Sequence, residues 1–345
     1  MGLTEKIPVP MLGTQPAGRR DERGADPVRE CQQLLEHLAA RGVKPYRVGV
    51  LVLVPREMNQ PYQTALEASF RGLGYVEGKS ISFEYRSAGG QPERLPQLAA
   101  ELVQLPVDVI VAGTNQDIAA AKAATSTIPI IMALGVDPVG AGFVESLARP
   151  GGNITGVTVD AAPETIIGKQ LSLLKEAAPS TSRIAVLWNP LVPAYRTYFK
   201  AAQDSGGQLG LTIYSAEVQN PATLESAFQA IRGERSGGML VFVDSLTFSH
   251  RQPICDVAMK QRLVTASYIR EFAEAGCLIS YGADLLELYR RAAFYVDRIL
   301  KGARPGELPV ELPTKFRLVL NLKAAKALGL MIPPSLLQRA DQVIE

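Results

Sequence analysis

The chain contains 345 residues, of which 47% are hydrophobic and 20% are charged. This length and composition provide apolar side chains for two domain cores and exclude a disordered chain. The 36 basic and 34 acidic residues leave a formal net charge of +2. Because they form no Lys/Arg-rich block, nucleic acid is excluded as an expected partner.

The first 45 residues differ in character from the rest of the chain. Thr14 to Asp26 is polar, and Val28 to Arg41 has a weak helical pattern. A secretory signal combines a charged start, an apolar stretch of about 7 to 15 residues and a small-residue cleavage site, and this combination is not visible here. We predict an irregular N-terminal extension over residues 1–45, and the sequence leaves a cytoplasmic location open.

From Arg47 onward, strand-like and helix-like stretches alternate with short turns that contain Gly or Pro, the pattern of a parallel sheet covered by helices. The predicted strands of the first half are Val48–Val54, Ser80–Tyr85, Val107–Ala112, Pro129–Met132 and Ile154–Val159. Amphipathic helices are predicted between them, over Pro61–Leu73 and Glu93–Leu105. The longest apolar runs have the length of a strand and not the roughly 20 residues of a membrane span, so no transmembrane segment is expected.

The second half repeats this order of elements. RVGVLVLVP at Arg47 corresponds to RIAVLWNP at Arg183, 136 residues later, and VDVIVAGT at Val107 corresponds to GGMLVFVDS at Gly237. Each half therefore predicts one doubly wound lobe. The predicted fold class is α/β, with two Rossmann-like lobes joined by a multi-strand hinge.

The chain is expected to pass between the lobes more than once, near Pro150–Asp160, Tyr281–Asp284 and Pro305–Pro313. Several crossing segments that run side by side make a hinge. The expected first lobe comprises residues 46–157 plus about 284–308, and the expected second lobe comprises 158–283 plus about 312–345.

The loops at the carboxyl ends of parallel strands are expected to face a cleft between the lobes. In the first lobe, the candidate ligand-binding residues on these loops are Asn59, Thr114, Asn115, Gln116 and Asp137. The turn at Thr114 leads from a buried strand into a helix, so its backbone N–H groups and hydroxyl suit a ligand carboxylate. Helix capping by Thr114 or Asn115, and a turn role for Asp137, are the alternatives.

In the second lobe, the candidate ligand-binding residues are Trp188, Asn189, Tyr195, Asp244, Ser245 and Tyr268. Asp244 and Ser245 offer an acceptor for a ligand ammonium or hydroxyl group, and a helix N-cap is the alternative. Trp188 is placed to stack on a planar ligand or to pack in the core. Because Tyr62 and two of these candidates put tyrosines near the cleft, an aromatic or branched apolar ligand is expected.

The cysteines and histidines give no sign of a metal site or a disulfide framework. Cys31, Cys255 and Cys277 are odd in number and show no CxxC spacing, so we expect small core or surface fillers, with a Cys255–Cys277 bridge left open. His37 and His250 lack neighbouring ligands at metal spacing. The sequence contains no phosphate loop, nucleophile elbow, zinc-protease motif or dinucleotide fingerprint, so no metal, cofactor or catalytic residue is predicted.

Four long segments carry a family resemblance. They are LGYVEGKSISFEYR from Leu73, LPQLAAELVQLPVDVIVAGT from Leu95, DPVGAGFVESLARPGGNITG from Asp137 and YGADLLELYRRAAFYVDRILKGARPGELPVELPTKF from Tyr281. From about Arg47 to Glu345, the chain resembles the ABC-transporter substrate-binding proteins related to the tryptophan- and tyrosine-type uptake proteins of bacteria.

This resemblance implies the type I periplasmic-binding-protein fold and capture of a small organic ligand, amino-acid-like or an aromatic acid, by hinge closure. It also implies a monomer that delivers the ligand to an ABC permease driven by a separate ATPase. The implied location is the periplasm or cell envelope, although no signal peptide is visible in residues 1–45. Two alternatives stay open, namely a cytoplasmic ligand sensor with the same fold and an enzyme with its site in the cleft.

Overall fold

The computed structural model describes residues 44–159 and 162–345. Most of the predicted N-terminal extension, with Cys31 and His37, lies outside the described residues. The strands are β1 Tyr46–Val52, β2 Ile81–Ser87, β3 Val109–Ala112, β4 Ile130–Gly135, β5 Ile154–Thr158, β6 Arg183–Trp188, β7 Thr212–Glu217, β8 Gly238–Val241, β9 Val264–Ser267, β10 Ile279–Ala283, β11 Phe316–Asn321 and β12 Gln342–Ile344. The α-helices are α1 Arg56–Gly72, α2 Leu95–Gln104, α3 Asn115–Ala124, α4 Pro163–Ala177, α5 Tyr195–Gln208, α6 Leu224–Gly233, α7 Ser245–Ser249, α8 Arg251–Lys260, α9 Arg270–Glu274, α10 Leu285–Leu300, α11 Leu322–Leu328 and α12 Pro334–Gln338.

The first lobe is built on a parallel sheet in which the strand order is β2-β1-β3-β4-β5. Its central strands are apolar at almost every position because both faces of the sheet are covered. On one face Val50 and Val111 belong to a core that includes residues of α1 and α10, and on the other Leu51 and Ile110 pack with residues of α2 and α3. Because successive side chains of a strand point to opposite faces, the same strands contribute to a core on each side of the sheet.

The second lobe is built on a sheet with the strand order β12-β11-β10-β9-β8-β6-β7. Only β10 and β11 pair antiparallel; the other neighbours in this sheet are parallel. Helices α4 to α9, α11 and α12 pack on or beside it. The predicted α/β fold with two doubly wound lobes is confirmed. No described helix combines the length and hydropathy that a membrane span requires.

Three segments connect the lobes. The chain leaves the first lobe after β5, returns to it between β10 and α10, and passes again to the second lobe before β11. Helix α10 packs against α1, β4 and β5, although it follows a strand of the second sheet. Its N-terminus is capped by Asp284, which accepts a hydrogen bond from the Glu287 N–H at 3.2 Å.

Backbone hydrogen bonds hold the crossing segments together. The Thr158 N–H donates to the Glu311 carbonyl at 3.0 Å, and the Glu311 N–H donates to the Gly156 carbonyl at 3.0 Å. The Asp284 N–H donates to the Lys315 carbonyl at 3.3 Å. An isolated parallel β-bridge between Val157 and Glu311 thus forms part of the junction between the lobes.

The cysteines correct one expectation. Cys255 on α8 and Cys277 before β10 form a disulfide bond, with their Cα atoms 5.1 Å apart, so the preferred interpretation as fillers is wrong for this pair. Both residues are buried. Their 22-residue separation gave no signal in the sequence, because only the packing of α8 and α9 beside β9 and β10 brings them together.

Loss of this disulfide should destabilise the protein. For the double variant Cys255→Ala/Cys277→Ala, we expect the free energy of unfolding to fall by about 3 kcal/mol, since the closed loop restricts the unfolded chain. Urea unfolding followed by circular dichroism measures the change. Wild-type protein unfolded in a strong reductant should show the same loss, and equal stability with and without reductant would contradict the prediction.

Candidate functional site

A cavity with an empty volume of about 510 Å³, part of it open to solvent, lies between the two lobes. It is formed at the carboxyl ends of strands β1, β3, β8 and β9, where doubly wound sheets place their ligand-binding loops. The first wall is lined by residues of the first lobe and of α10, namely Val52, Leu53, Val54, Asn59, Tyr62, Gly113, Thr114, Asp117, Leu134, Leu285 and Tyr289. Those of the second lobe are Val243, Asp244, Ser245, Phe248, Tyr268 and Ile269.

The first wall carries the buried carboxyl group of Asp117. The residue is 1% exposed, and its Oδ2 accepts hydrogen bonds from the Thr114 N–H at 2.7 Å and the Thr114 hydroxyl at 3.0 Å. These bonds form the capping box at the start of α3. The other oxygen, Oδ1, is buried without a hydrogen-bond partner of normal geometry among the described residues. One half of the carboxyl group caps the helix, and the other half is left for a ligand.

Gly113 permits this arrangement because it leaves room for two side chains. A Cβ atom at this position would lie 2.9 Å from Asp117 Oδ2 and 3.2 Å from the Tyr289 hydroxyl oxygen. Both distances are too short for an unstrained contact, so a side chain here would push the carboxyl group or the phenol away. The close approach of the strand end to Asp117 therefore depends on a residue without a side chain.

Burial also changes the acidity of Asp117. Desolvation raises its pKa to about 7, against the opposing effect of the hydrogen bonds from Thr114 and of a weaker contact with the Leu53 backbone that falls outside normal hydrogen-bond geometry. Tyr289 is the titratable group packed nearby, and burial raises its pKa too, with the Asp117 charge adding to the effect. The ionisation of Asp117 is therefore shifted from the acidic toward the neutral pH range when no ligand is bound.

The second wall carries Asp244 and Ser245 at the start of α7. Asp244 Oδ1 accepts hydrogen bonds from the Thr247 N–H at 2.9 Å and the Thr247 hydroxyl at 3.0 Å, and Oδ2 accepts one from the Asn189 amide at 2.6 Å. Desolvation raises the pKa of Asp244 despite these bonds. The Ser245 hydroxyl is buried and has no hydrogen-bond partner among the described residues. Asp244 is thus the N-cap of α7, which was the alternative to ligand binding in the sequence prediction. Ser245 presents an unpaired hydroxyl.

The electrostatics of the cavity favour a cationic group. Two carboxyl groups line it from opposite lobes, and none of the described lining residues is Lys, Arg or His. A carboxylate removed from water gains most from a positive charge placed close to it. Within the described residues, no group of three or more His, Cys, Asp or Glu is arranged to hold a metal ion. A ligand ammonium group fits this arrangement.

Tyrosine side chains close one end of the cavity. Tyr62 and Tyr289 stack with ring centroids 5.2 Å apart, and the Tyr289 hydroxyl lies 3.5 Å from Asn59 Oδ1. The Tyr62 hydroxyl donates to Glu271 Oε1 of the second lobe at 2.6 Å. This hydrogen bond joins the two lobes directly, so the structure shows them closed over the cavity.

The structure brings five of the predicted binding residues to the cavity and leaves six outside its lining. The five are Asn59, Thr114, Asp244, Ser245 and Tyr268, and the six are Asn115, Gln116, Asp137, Trp188, Asn189 and Tyr195. Asn189 supports the site indirectly through its bond to Asp244. Tyr195 lines a neighbouring cavity. Direct contact between the five lining residues and a ligand stays a prediction.

The remaining predicted residues have structural contacts. The Trp188 ring stacks on Phe199 at 5.4 Å, and its Nε1–H donates to the Ser215 hydroxyl at 2.8 Å, so the ring packs in the core. The Asn115 side chain exchanges hydrogen bonds of 2.7 and 2.8 Å with the Val136 backbone. Asp137 adopts a positive φ of 42° and accepts a bond from the Gly140 N–H at 3.0 Å, as a turn residue does. Gln116 is half-buried.

Two lining residues, Asp117 and Tyr289, were not among the predicted binding residues. Asp117 has a signal in the sequence, because Thr114 followed three residues later by Asp after a buried strand is a capping pattern. The pattern does not show that the second carboxylate oxygen stays unpaired. Tyr289 has no such signal, since the sequence of α10 does not show which lobe the helix covers.

Two doubly wound lobes, joined by several crossing segments and closed over a cavity, define a clamshell binding protein of the type I periplasmic-binding-protein class. Residues 47–344 match the family described as ABC transporter substrate binding protein. The chain belongs to this family, and it is the solute-binding component of an ABC-type uptake system. The resemblance found in the sequence is therefore confirmed.

Similar proteins of known name or structure agree with this assignment. The tyrosine-binding protein of Clostridioides difficile (strain R20291) is 24% identical over 287 residues, which are 83% of this chain and 82% of that protein. A conserved domain protein from Vibrio cholerae O1 biovar El Tor str. N16961 is 30% identical, with a TM-score of 0.81 over 87% of this chain and all of the other. The ABC domain from Streptococcus pneumonia in complex with L-Trp is 24% identical, with the same TM-score and coverage.

The raised pKa of Asp117 predicts a pH-dependent stability difference in the absence of ligand. A carboxyl group with a folded-state pKa of about 7 and an unfolded value near 3.9 holds more protons in the folded state between these values, so its contribution to stability falls as pH rises through this window. Asp117→Asn cannot ionise and keeps an acceptor for Thr114. Its melting temperature relative to wild type should therefore rise from pH 5 to pH 8.

Differential scanning fluorimetry at both pH values measures this change. Asp204→Asn, at an exposed helix position on α5, is the matched control and should show a much smaller pH-dependent difference. If the melting-temperature difference between Asp117→Asn and wild type is the same at pH 5 and pH 8, Asp117 does not titrate in this window.

Proposed function

We propose that this binding protein captures an amino acid with an aromatic side chain, whose ammonium group lies between Asp117 and the Asp244–Ser245 turn. The observation that carries the proposal is the pair of unpaired buried atoms on opposite walls, Asp117 Oδ1 and Ser245 Oγ. An ammonium group has three donors, enough to pair with both oxygens. The names of the similar proteins, a tyrosine-binding protein and a complex with L-Trp, support the same ligand class.

The charge of the cavity separates an amino acid from a simple aromatic acid. A ligand with a carboxylate as its only charge would bring a third negative group toward Asp117 and Asp244, and no basic side chain lines the described cavity to offset it. An amino acid compensates for this charge with its ammonium group. We therefore expect aromatic acids without an amine to bind more weakly than amino acids.

Capture takes place by closure of two lobes. The proposed first lobe is residues 46–157 with about 284–308, and the proposed second lobe is 158–283 with about 312–345, which agrees with sheet membership and with the packing of α10 on α1. Ligand contacts with both walls add to the Tyr62–Glu271 hydrogen bond and shift the equilibrium from an open to a closed form. The closed form is what a permease would recognise.

The proposal extends to the location and partners of the chain. We infer that it works outside the cytoplasm and delivers its ligand unchanged to an ABC permease and its ATPase, without catalysing a reaction. The family assignment supports these partners. The Cys255–Cys277 disulfide supports the location, because such bonds form and persist in oxidising compartments.

A ligand series tests the role of the amine. We expect L-tyrosine, L-tryptophan and tyramine to raise the melting temperature, and 3-(4-hydroxyphenyl)propionate, which keeps the ring and the carboxylate but lacks the amine, to have little effect. Mass spectrometry of the released ligand should recover it unaltered. Binding of the propionate as tightly as L-tyrosine would contradict the ammonium assignment. Recovery of a converted product would show that the protein is an enzyme and not a binding protein.

The pH dependence of binding tests Asp117 itself. If the ammonium group binds the ionised carboxylate, the fraction of competent protein falls as Asp117 protonates, and the dissociation constant for L-tyrosine should rise about tenfold between pH 8 and pH 6. Isothermal titration calorimetry measures this change. Asp117→Asn should bind more weakly at pH 8 and lose most of the pH dependence, whereas Asp204→Asn should behave as wild type. An unchanged pH profile in Asp117→Asn would contradict the assignment.

A further inference from the structure

Two helices of the second lobe contact α1 of the first lobe. The Tyr62 hydroxyl on α1 donates to Glu271 Oε1 on α9 at 2.6 Å, and the Arg251 guanidinium on α8 lies 3.8 Å from Met58 Sδ on α1. Glu271 stands in the first turn of α9, and Arg251 is the first residue of α8. The N-terminal ends of α8 and α9 therefore form the second-lobe side of a contact between the lobes.

Helix α9 is not stable through its own sequence. It has five residues, and its N-cap, Ile269, makes no side-chain hydrogen bond to the helix. A single helical turn gains too little from its own backbone hydrogen bonds to be stable in water. The position of Glu271 consequently depends on the contacts that α9 makes with other elements.

The C-terminal end of α9 is tied to α8. Cys277, three residues after the helix, forms the disulfide bond with Cys255, and the Gln252 amide donates to the Ala275 carbonyl at 3.0 Å. Gln252 and Cys255 follow Arg251 by one and four residues on α8. The two helices that contact α1 are thus joined to each other by a covalent bond and a hydrogen bond.

A second set of contacts holds the middle of α9 in its own lobe. Phe272 is fully buried, and the Asn321 amide donates to the Ala273 carbonyl at 2.8 Å. These contacts do not involve α8. Loss of the disulfide should therefore leave α9 folded against the second lobe but allow it to shift relative to α8, and with it the carboxylate of Glu271.

We infer that α9 is a latch for the closed form, which the Cys255–Cys277 disulfide and Gln252 hold in position to present Glu271 to Tyr62. The inference rests on the proposed function, in which capture of a ligand requires closure of the lobes. The two cysteines are then positioning residues for ligand capture, although neither lines the cavity. Because the apparent affinity for a ligand includes the stability of the closed form, a displaced latch weakens binding without changing any contact to the ligand.

A thermodynamic cycle tests the latch, with L-tyrosine as the probe in isothermal titration calorimetry. Glu271→Ala removes the acceptor of the hydrogen bond between the lobes at a residue outside the cavity lining, so the affinity should fall about fivefold. Cys255→Ala/Cys277→Ala should lower the affinity about threefold. In the triple variant the cysteine substitutions should cause no further loss, because the hydrogen bond that the disulfide positions is already absent.

Glu274→Ala is the matched control. Glu274 lies on the same helix and approaches the same residue, Arg270, at 3.6 Å, as Glu271 does at 3.8 Å, but it makes no ion pair with the first lobe in the described part of the chain. Its affinity should equal that of wild type. Equal affinities of Glu271→Ala and wild type would overturn the latch, and so would a loss in the triple variant equal to the product of the two separate losses.

Small-angle X-ray scattering separates this inference from the proposed function. If L-tyrosine does not bind the wild type, the proposed ligand is wrong, and the radius of gyration of the ligand-free proteins decides about the latch. Glu271→Ala and the double cysteine variant should then be more extended than wild type and Glu274→Ala, and equal radii would overturn the latch. Should the double cysteine variant prove misfolded by circular dichroism, Gln252→Ala, which removes the hydrogen bond to Ala275 and keeps the disulfide, takes its place with the same expected pattern.

Discussion

The hydrogen bonds between Gly156, Thr158 and Glu311 hold the junction of the two lobes together. The cavity between the lobes depends on this junction. Each lobe has its own sheet, but neither sheet forms the cavity alone. The strand ends of both must face each other at a fixed separation for two walls to meet around a small ligand. The crossing segments set that separation, and the bidentate ion pair between Arg291 and Glu311, with bonds of 2.5 Å, ties one of them to α10.

The energetic balance of closure explains why the unpaired atoms matter. A ligand bound at micromolar concentration supplies about 8 kcal/mol in total, so open and closed forms must differ by less than this for binding to control the shape. The Tyr62–Glu271 hydrogen bond favours closure without any ligand. In the closed form the oxygens of Asp117 and Ser245 are buried without partners, which is unfavourable. A ligand that pairs both oxygens removes this cost and tips the balance.

The sequence predicted the architecture better than the site. Strand and helix periodicity and the repeat after 136 residues are local properties, so the two lobes and the crossings followed from them. The site depends on which way single side chains turn. Trp188 ends a strand as predicted, but its ring stacks on Phe199 of α5. The position of Tyr289 in the cavity wall and the Cys255–Cys277 bond both depend on contacts between elements that are distant along the chain. No local sequence pattern predicts such contacts.

The choice of Asp at position 117 is informative because capping alone does not require it. Thr114 is the N-cap of α3 and Asp117 stands at N3, where the neutral amide of glutamine would also close a capping box without placing a carboxylate with an unpaired oxygen in a site removed from water. The raised pKa records this cost. Asp244 differs, because Thr247 and Asn189 pair both of its oxygens and its charge acts from within a completed network. Of the two acids, Asp117 would therefore gain more from a ligand cation, and we propose that the first lobe provides the main contact for the ammonium group.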